Sequence, residues 1–100
     1  MLKGKVEVTV RLVGVFRVLS GKSQVTVGLA ERATVGDIVQ KLVVSFPAEF
    51  GSALVDPVLG EPQPNALILV NGKEIGVLDG VETVVGHGDE VVFVPVAHGG

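Results

Sequence analysis

The stretch Gly88-Asp89-Glu90-Val91-Val92-Phe93-Val94-Pro95-Val96-Ala97-His98-Gly99-Gly100 decides how the rest of the chain is read. It begins as a turn and passes into an unbroken Val/Phe run, Val91–Val94. Such a run suits a strand covered on both faces better than one half exposed to water. Pro95 lacks an N–H and cannot donate to a ladder, so regular pairing is expected to loosen there. Beyond it His98 is the one large side chain. Gly99 and Gly100 have no packing value and carry the largest ordering cost of any residue type. Taken alone they read as a frayed terminus.

Working outward, Ala66–Val70 is an apolar strand, and Asn71-Gly72 is the strongest short hairpin signal in the chain. Lys73–Val77 reads as the returning short strand, and Asp79-Gly80 and Gly86-His87-Gly88-Asp89 bracket a connection to the last strand. At the other end Val6, Val8, Val10 and Leu12 alternate with Glu7, Thr9 and Arg11, the period of a half-buried strand. The apolar pattern continues through Val13–Val18, and Ser20-Gly21-Lys22-Ser23 supplies a turn. Val25, Val27 and Leu29 then share a face of a second strand, so the pair reads as an antiparallel hairpin. Between the two hairpins lies the clear helix. Thr34 caps it, with Asp37 placed for a capping box. Val35, Ile38, Val39, Leu42, Val43 and Phe46 form one apolar stripe, with Asp37, Gln40 and Lys41 turned to solvent. Pro47 ends it. From Pro47 to Asn65 the chain carries four of its five prolines, and one or two helical turns are expected over Ala48–Leu54 because a structureless loop of that length is unusual. The pattern is an α+β sandwich of one main helix on one face of a mixed sheet.

The Gly88-Asp89-Glu90-Val91 turn, the run Val92-Phe93-Val94-Pro95-Val96 and the Gly-Gly end together resemble the C-terminus of the small ubiquitin-like sulfur carriers and modifiers. That family includes the small subunit of molybdopterin synthase, the archaeal ubiquitin-like modifiers and the ubiquitin-related modifier that also donates sulfur for tRNA thiolation. The likeness continues through Leu69-Val70-Asn71-Gly72 and Leu78-Asp79-Gly80-Val81-Glu82-Thr83, and in outline over the whole chain. One departure is that Val94-Pro95-Val96 keeps a single proline where the family often has two, which tilts the reading away from the molybdopterin branch. The resemblance implies a β-grasp domain over residues 1–100, with 96–100 as a flexible tail. It also implies an E1-like partner that uses ATP and magnesium to adenylate the Gly100 carboxylate. The product is a thiocarboxylate or an isopeptide bond to a lysine of a target protein.

The residues themselves offer little other chemistry. Cysteine is absent, which excludes disulfides, thiolate metal sites and a catalytic thiol. His87 and His98 lack the spacing and the third ligand of a metal site. Asp89 and Glu90 are adjacent, so on a strand they point to opposite faces and make a poor carboxylate pair. Gly86-His87-Gly88 precedes no helix and is not a phosphate loop. No cofactor is expected on the chain itself. What remains reactive is the α-carboxylate of Gly100. Two terminal glycines suit it, since an activating site that closes around the acyl carbon leaves no room for a β-carbon. Val96, Ala97 and His98 would line the path, and a tail of Ala97–Gly100 reaches about 13 Å when extended.

With 100 residues and a hydrophobic fraction of 47%, the chain suits one domain able to bury about two-thirds of its unfolded surface. Net charge is −3 with no basic patch, which argues against direct nucleic-acid binding. No stretch approaches the roughly 18 apolar residues of a membrane span, and the first residues lack a signal-peptide pattern. The chain reads as cytoplasmic. One helix covers only one face of a sheet, so apolar residues are left on the other. Leu67, Leu69 and Phe93 are the expected partner patch, unless the segment Ser52–Pro64 folds over it. A rival reading is a plain interaction module whose Gly-Gly end is incidental, and another is a molybdopterin synthase subunit dedicated to molybdenum cofactor biosynthesis.

Overall fold

The computed structural model describes residues 5–56, 58, 62 and 66–96. Its elements in chain order are β1 (Lys5–Leu12), α1 (Val15–Ser20), β2 (Gln24–Ala30), α2 (Val35–Ser45), α3 (Ala48–Leu54), β3 (Ala66–Val70), β4 (Lys73–Glu74) and β5 (Glu90–Pro95), with 3-10 turns at Ile75–Val77 and Gly80–Glu82. The strands form one mixed sheet in the order β2-β1-β5-β3-β4. β5 is parallel to β1 and antiparallel to β3, and both hairpins are antiparallel. Two hairpins with a helix between them on one face of the sheet make the β-grasp arrangement that the resemblance implies.

Alternation places the core. On β1, Val6, Val8, Val10 and Leu12 are buried while Lys5, Glu7 and Arg11 are exposed. Val27 and Leu29, Ile68 and Val70, and Val91 and Phe93 face the same way. Against them lies α2, whose Val35, Ile38, Val39 and Leu42 are buried. Its capping box is formed: Thr34 Oγ1 accepts from the Asp37 N–H, and the Thr34 N–H donates to Asp37 Oδ2 at 2.8 Å. Phe46 caps the other end in an extended conformation, as the following proline requires.

Three expectations need correction. The apolar stretch after Leu12 does not prolong the strand. Gly14, at φ +61° and ψ −130°, turns the chain into α1, and Gly21 ends that helix in a left-handed cap whose N–H donates to the Arg17 carbonyl at 2.9 Å. Phe16 becomes a core residue, edge-on to Phe50 of α3 with ring centroids 5.9 Å apart. The helical layer therefore contains α1 and α3 beside α2. At β4 only Lys73 and Glu74 pair with β3, and Ile75–Val77 curls into a 3-10 turn that buries Ile75. Lastly, β5 is buried on one face only. Val91 and Phe93 are inside, whereas Val92 and Val94 are half-buried on the other face.

Leu42 is central to the helix–sheet contact, at 2% exposure. We expect Leu42→Ala to cost about 2–5 kcal/mol of stability, measured by denaturant unfolding, from lost transfer energy and a residual cavity. A loss under half a kcal/mol would mean that the stripe does not pack on the sheet.

Candidate functional site

β5 is the middle strand of the sheet, and it is held on both sides up to its end. Ala66 pairs with Pro95 on the β3 side. On the β1 side the ladder outlasts the strand, since the Val13 N–H donates to the Phe93 carbonyl at 3.1 Å. Gly14 then passes so close that a β-carbon there would stand 2.7 Å from Cγ of Pro95. Its positive φ and this close approach both require glycine. Pro95 is thus pinned by Gly14 and Ala66, and Val96, 43% exposed, is the next residue. Ala97, His98, Gly99 and Gly100 lie outside the described residues. What the structure gives is the place from which they start.

Exposed apolar groups surround that place. Val13, Val15 and Val18 are all exposed, the last at 76%. An open hollow beside them is lined by Gly14, Arg17, Val18 and Gly21.

On the face opposite the helices, Leu67 pairs with Val94 and Leu69 with Val92. All four are half-buried, and together they make an apolar strip running towards the end of β5. The ion pair of Arg11 and Glu90 borders it. Both of those side chains are about half exposed, so the pair contributes only about 0–1 kcal/mol. Phe93 does not belong to this strip. It pairs with Ile68 and is fully buried under the helices, because strand alternation sends it to the face opposite Val92 and Val94. Of the Ser52–Pro64 segment, which was expected to be able to cover the strip, Leu54 is buried in the core as part of α3, and residues 57, 59–61 and 63–64 lie outside the described residues.

At the far end of β5, the Gly-Asp-Glu turn is a structural joint. Asp89 Oδ1 accepts from Asn71 Nδ2 at 3.0 Å, and Asp89 Oδ2 accepts from the Gly86 N–H at 2.7 Å. Asn71 Oδ1 accepts from the Glu90 N–H at 2.9 Å. The Asp89 carbonyl takes the Thr9 N–H, and the Glu7 N–H donates to Nδ1 of His87 at 3.1 Å. These bonds tie β1, the Asn71-Gly72 turn and the start of β5 together, and give His87 a structural partner. Among the described residues no group of three or more His, Asp or Glu is placed to hold a metal ion, and no helix is long and apolar enough to cross a membrane.

Sequence reasoning missed Gly14 and the α1 cluster. The signal was present in the interruption of the Val13–Val18 run by Gly14 and by Arg17.

Comparison with known proteins places this geometry. The model of the ThiS family matches residues 10–100. Small archaeal modifier protein 3 of Haloferax volcanii is 35% identical over 94 residues, which is 93% of this chain and 99% of the relative. The solution structure of the Haloferax volcanii HVO 2177 protein superposes with a TM-score of 0.84 at 31% identity, covering 100% of this chain and 92% of that one. A chain of the Amycolatopsis orientalis BexX/CysO complex gives a TM-score of 0.73 at 26% identity, covering 93% and 99%.

Gly14→Ala tests the clamp at the end of β5. It forces a β-carbon into a left-handed conformation and against Pro95, so we expect a loss of about 1–3 kcal/mol in denaturant unfolding. Amide shifts should change along Val92–Val96. A neutral substitution with unchanged shifts would show that the strand end is not held there.

Proposed function

The chain belongs to the ThiS family, and from that premise we propose that it is a ubiquitin-like carrier whose working group is the carboxylate of Gly100. It is a substrate of an ATP-dependent, E1-like partner rather than a catalyst. A carboxylate is a poor electrophile until one oxygen becomes a good leaving group. In the partner's site that oxygen attacks the α-phosphate of ATP, pyrophosphate departs, and Gly100 becomes an acyl-adenylate. Magnesium offsets the phosphate charge there. Sulfide that displaces AMP gives the thiocarboxylate, AMP and a proton. A lysine amine gives an isopeptide bond, AMP and a proton. The resemblance to the ubiquitin-related modifier and the 35% identity to an archaeal modifier protein favour a chain that does both.

The observation that carries this reading is the origin of the tail. The most central strand of the sheet, held to its last residue, delivers Val96 to the surface beside two apolar surfaces. A tail of four residues from a fixed point reaches about 13 Å into a partner while the domain stays outside. The strip of Leu67, Leu69, Val92 and Val94 is where the partner would rest. That a CysO chain of this fold is found in complex with BexX supports docking on a second protein.

Deleting Gly100 should leave stability within about 0.5 kcal/mol of the parent, as for other surface changes. ATP–pyrophosphate exchange with the cognate activating enzyme should collapse, because the carboxylate retreats by over ~3 Å and reactive alignment fails at about the 1 Å level. Gly100→Ala should also be severe and His98→Ala milder. Normal exchange by the deletion would leave the plain interaction module as the better reading.

Leu69→Asp should weaken the complex with the activating enzyme by more than it lowers unfolding stability, with binding read by calorimetry. Equal loss in both would assign Leu69 to the core instead.

A further inference from the structure

The two edges of the sheet are finished differently. β4 closes one with two charged residues, Lys73 and Glu74, before the chain curls into a 3-10 turn. Short length and charge are how native sheets keep an edge from recruiting another strand. β2 forms the other edge with none of these devices. It runs seven residues, Gln24–Ala30, without charge or proline. Its register with β1 is unbroken from Lys5 opposite Ala30 to Arg11 opposite Gln24, so no bulge twists it away.

Its outward hydrogen-bonding groups can be assigned. The Leu12 N–H donates to the Ser23 carbonyl, which makes that pair a directly bonded one. By antiparallel alternation Val25, Val27 and Leu29 then turn their N–H and C=O groups to β1, and Thr26 and Gly28 turn theirs outward. Among the described residues no backbone group meets those of Thr26 and Gly28. Gly28 adds an independent sign. Its φ is not positive, and a β-carbon there would meet nothing within 4 Å. A mid-strand glycine weakens a strand by about 0.5–1 kcal/mol relative to alanine. Neither turn nor crowding demands it here, and close approach of a second backbone is the remaining use for one.

Beside this edge a groove of about 330 Å³ runs between β2 and α2. Val25, Val27, Leu42 and Phe46 give it an apolar lining, with Lys41 and Ser45 on the helix side. The lining carries one charge, and it is positive. Lys22 precedes the strand and Arg32 follows it, with Glu31 and, on the neighbouring strand, Glu7 as the nearby acids.

We propose that the β2 edge and this groove form a strand-addition site for an extended peptide of a partner protein, apolar at its centre and acidic at its flanks. The peptide main chain pairs with Thr26 and Gly28. An apolar side chain enters the groove, and the flanking carboxylates meet Lys41 and Lys22. Main-chain pairing supplies affinity in such sites, and the side-chain pocket supplies selectivity. The site is separated from β5 by β1, so it does not rest on the chemistry of Gly100.

The test is amide NMR of the intact, nitrogen-15-labelled chain, titrated with a short synthetic peptide of valine and isoleucine flanked by aspartates. Saturable shifts at the Thr26 and Gly28 amides, with slowed hydrogen exchange at both, are expected. Prolines at alternate positions of the peptide should weaken binding about tenfold or more, since two main-chain hydrogen bonds are lost. Lys41→Glu should weaken it about threefold, as for an exposed ion pair, and lysine flanks on the peptide should reverse that effect. Deleting Gly100 should change nothing, which separates this site from the carrier reading. Absence of shifts at Thr26 and Gly28 up to the peptide's solubility limit would overturn the proposal. So would equal binding of the proline peptide, or shifts that grow with the concentration of the chain alone, which would assign the edge to a second copy.

Discussion

The structure depends on the lodging of β5 between β1 and β3. Its parallel pairing with β1 joins the first hairpin to the second half of the chain, and its antiparallel pairing with β3 completes the sheet. Phe93 and Val91 anchor it beneath the helices with no exposure. Because the last strand in sequence is the middle strand in space, the chain cannot close its core until its C-terminal part has been placed. The same constraint fixes where the chain leaves the domain. The end of the strand is itself held, because Gly14 and Ala66 both lie against Pro95.

The lodging divides the molecule into a filled face and an open one. Val92 and Val94 alternate with the buried residues of β5, so burial of Phe93 leaves them facing out beside Leu67 and Leu69. The open strip is therefore a consequence of core packing, and its position beside the end of β5 follows from the register. At the opposite end of the strand, the Asp89 and Asn71 side chains bond each other and the Gly86 and Glu90 N–H groups, tying the turn after β3 to the start of β5, while the Asp89 carbonyl takes the Thr9 N–H of β1. The Gly-Asp-Glu and Asn-Gly signals of the sequence are two halves of one joint.

Much of this was legible from residues. The stripe Val35–Phe46, its Thr34–Asp37 cap and the alternation of β1 are local patterns whose physics does not wait for the rest of the fold. The structure shows the cap and the alternation as read and buries Val35, Ile38, Val39 and Leu42 of the stripe, with Val43 and Phe46 half-buried. Asn71 and Gly72 both take positive φ, as the hairpin signal required. What escaped depends on contacts distant in sequence. Val13–Val18 has no periodicity to separate a strand from a turn of helix, and only the need to fill the space against Phe50 makes it α1. The run Val91–Val94 suggested cover on both faces, but helices lie over one face only. A continuous apolar run carries no information about which side each residue takes, and only the pairing of Phe93 with buried Ile68 shows that it faces inward rather than into the outer strip. The role of Gly14 needed the position of Pro95, some eighty residues away in sequence.

On the proposed function, Gly100 is the group through which the protein works. Mass spectrometry of the C-terminal peptide, taken from the native source under sulfur-replete growth and compared with lysine-linked peptides of the proteome, tests it most directly. We expect a fraction of Gly100 to carry sulfur in place of an oxygen, or to be joined through its carbonyl to a lysine amine. Recovery of the free carboxylate alone, with no linked lysine in the proteome, would contradict it.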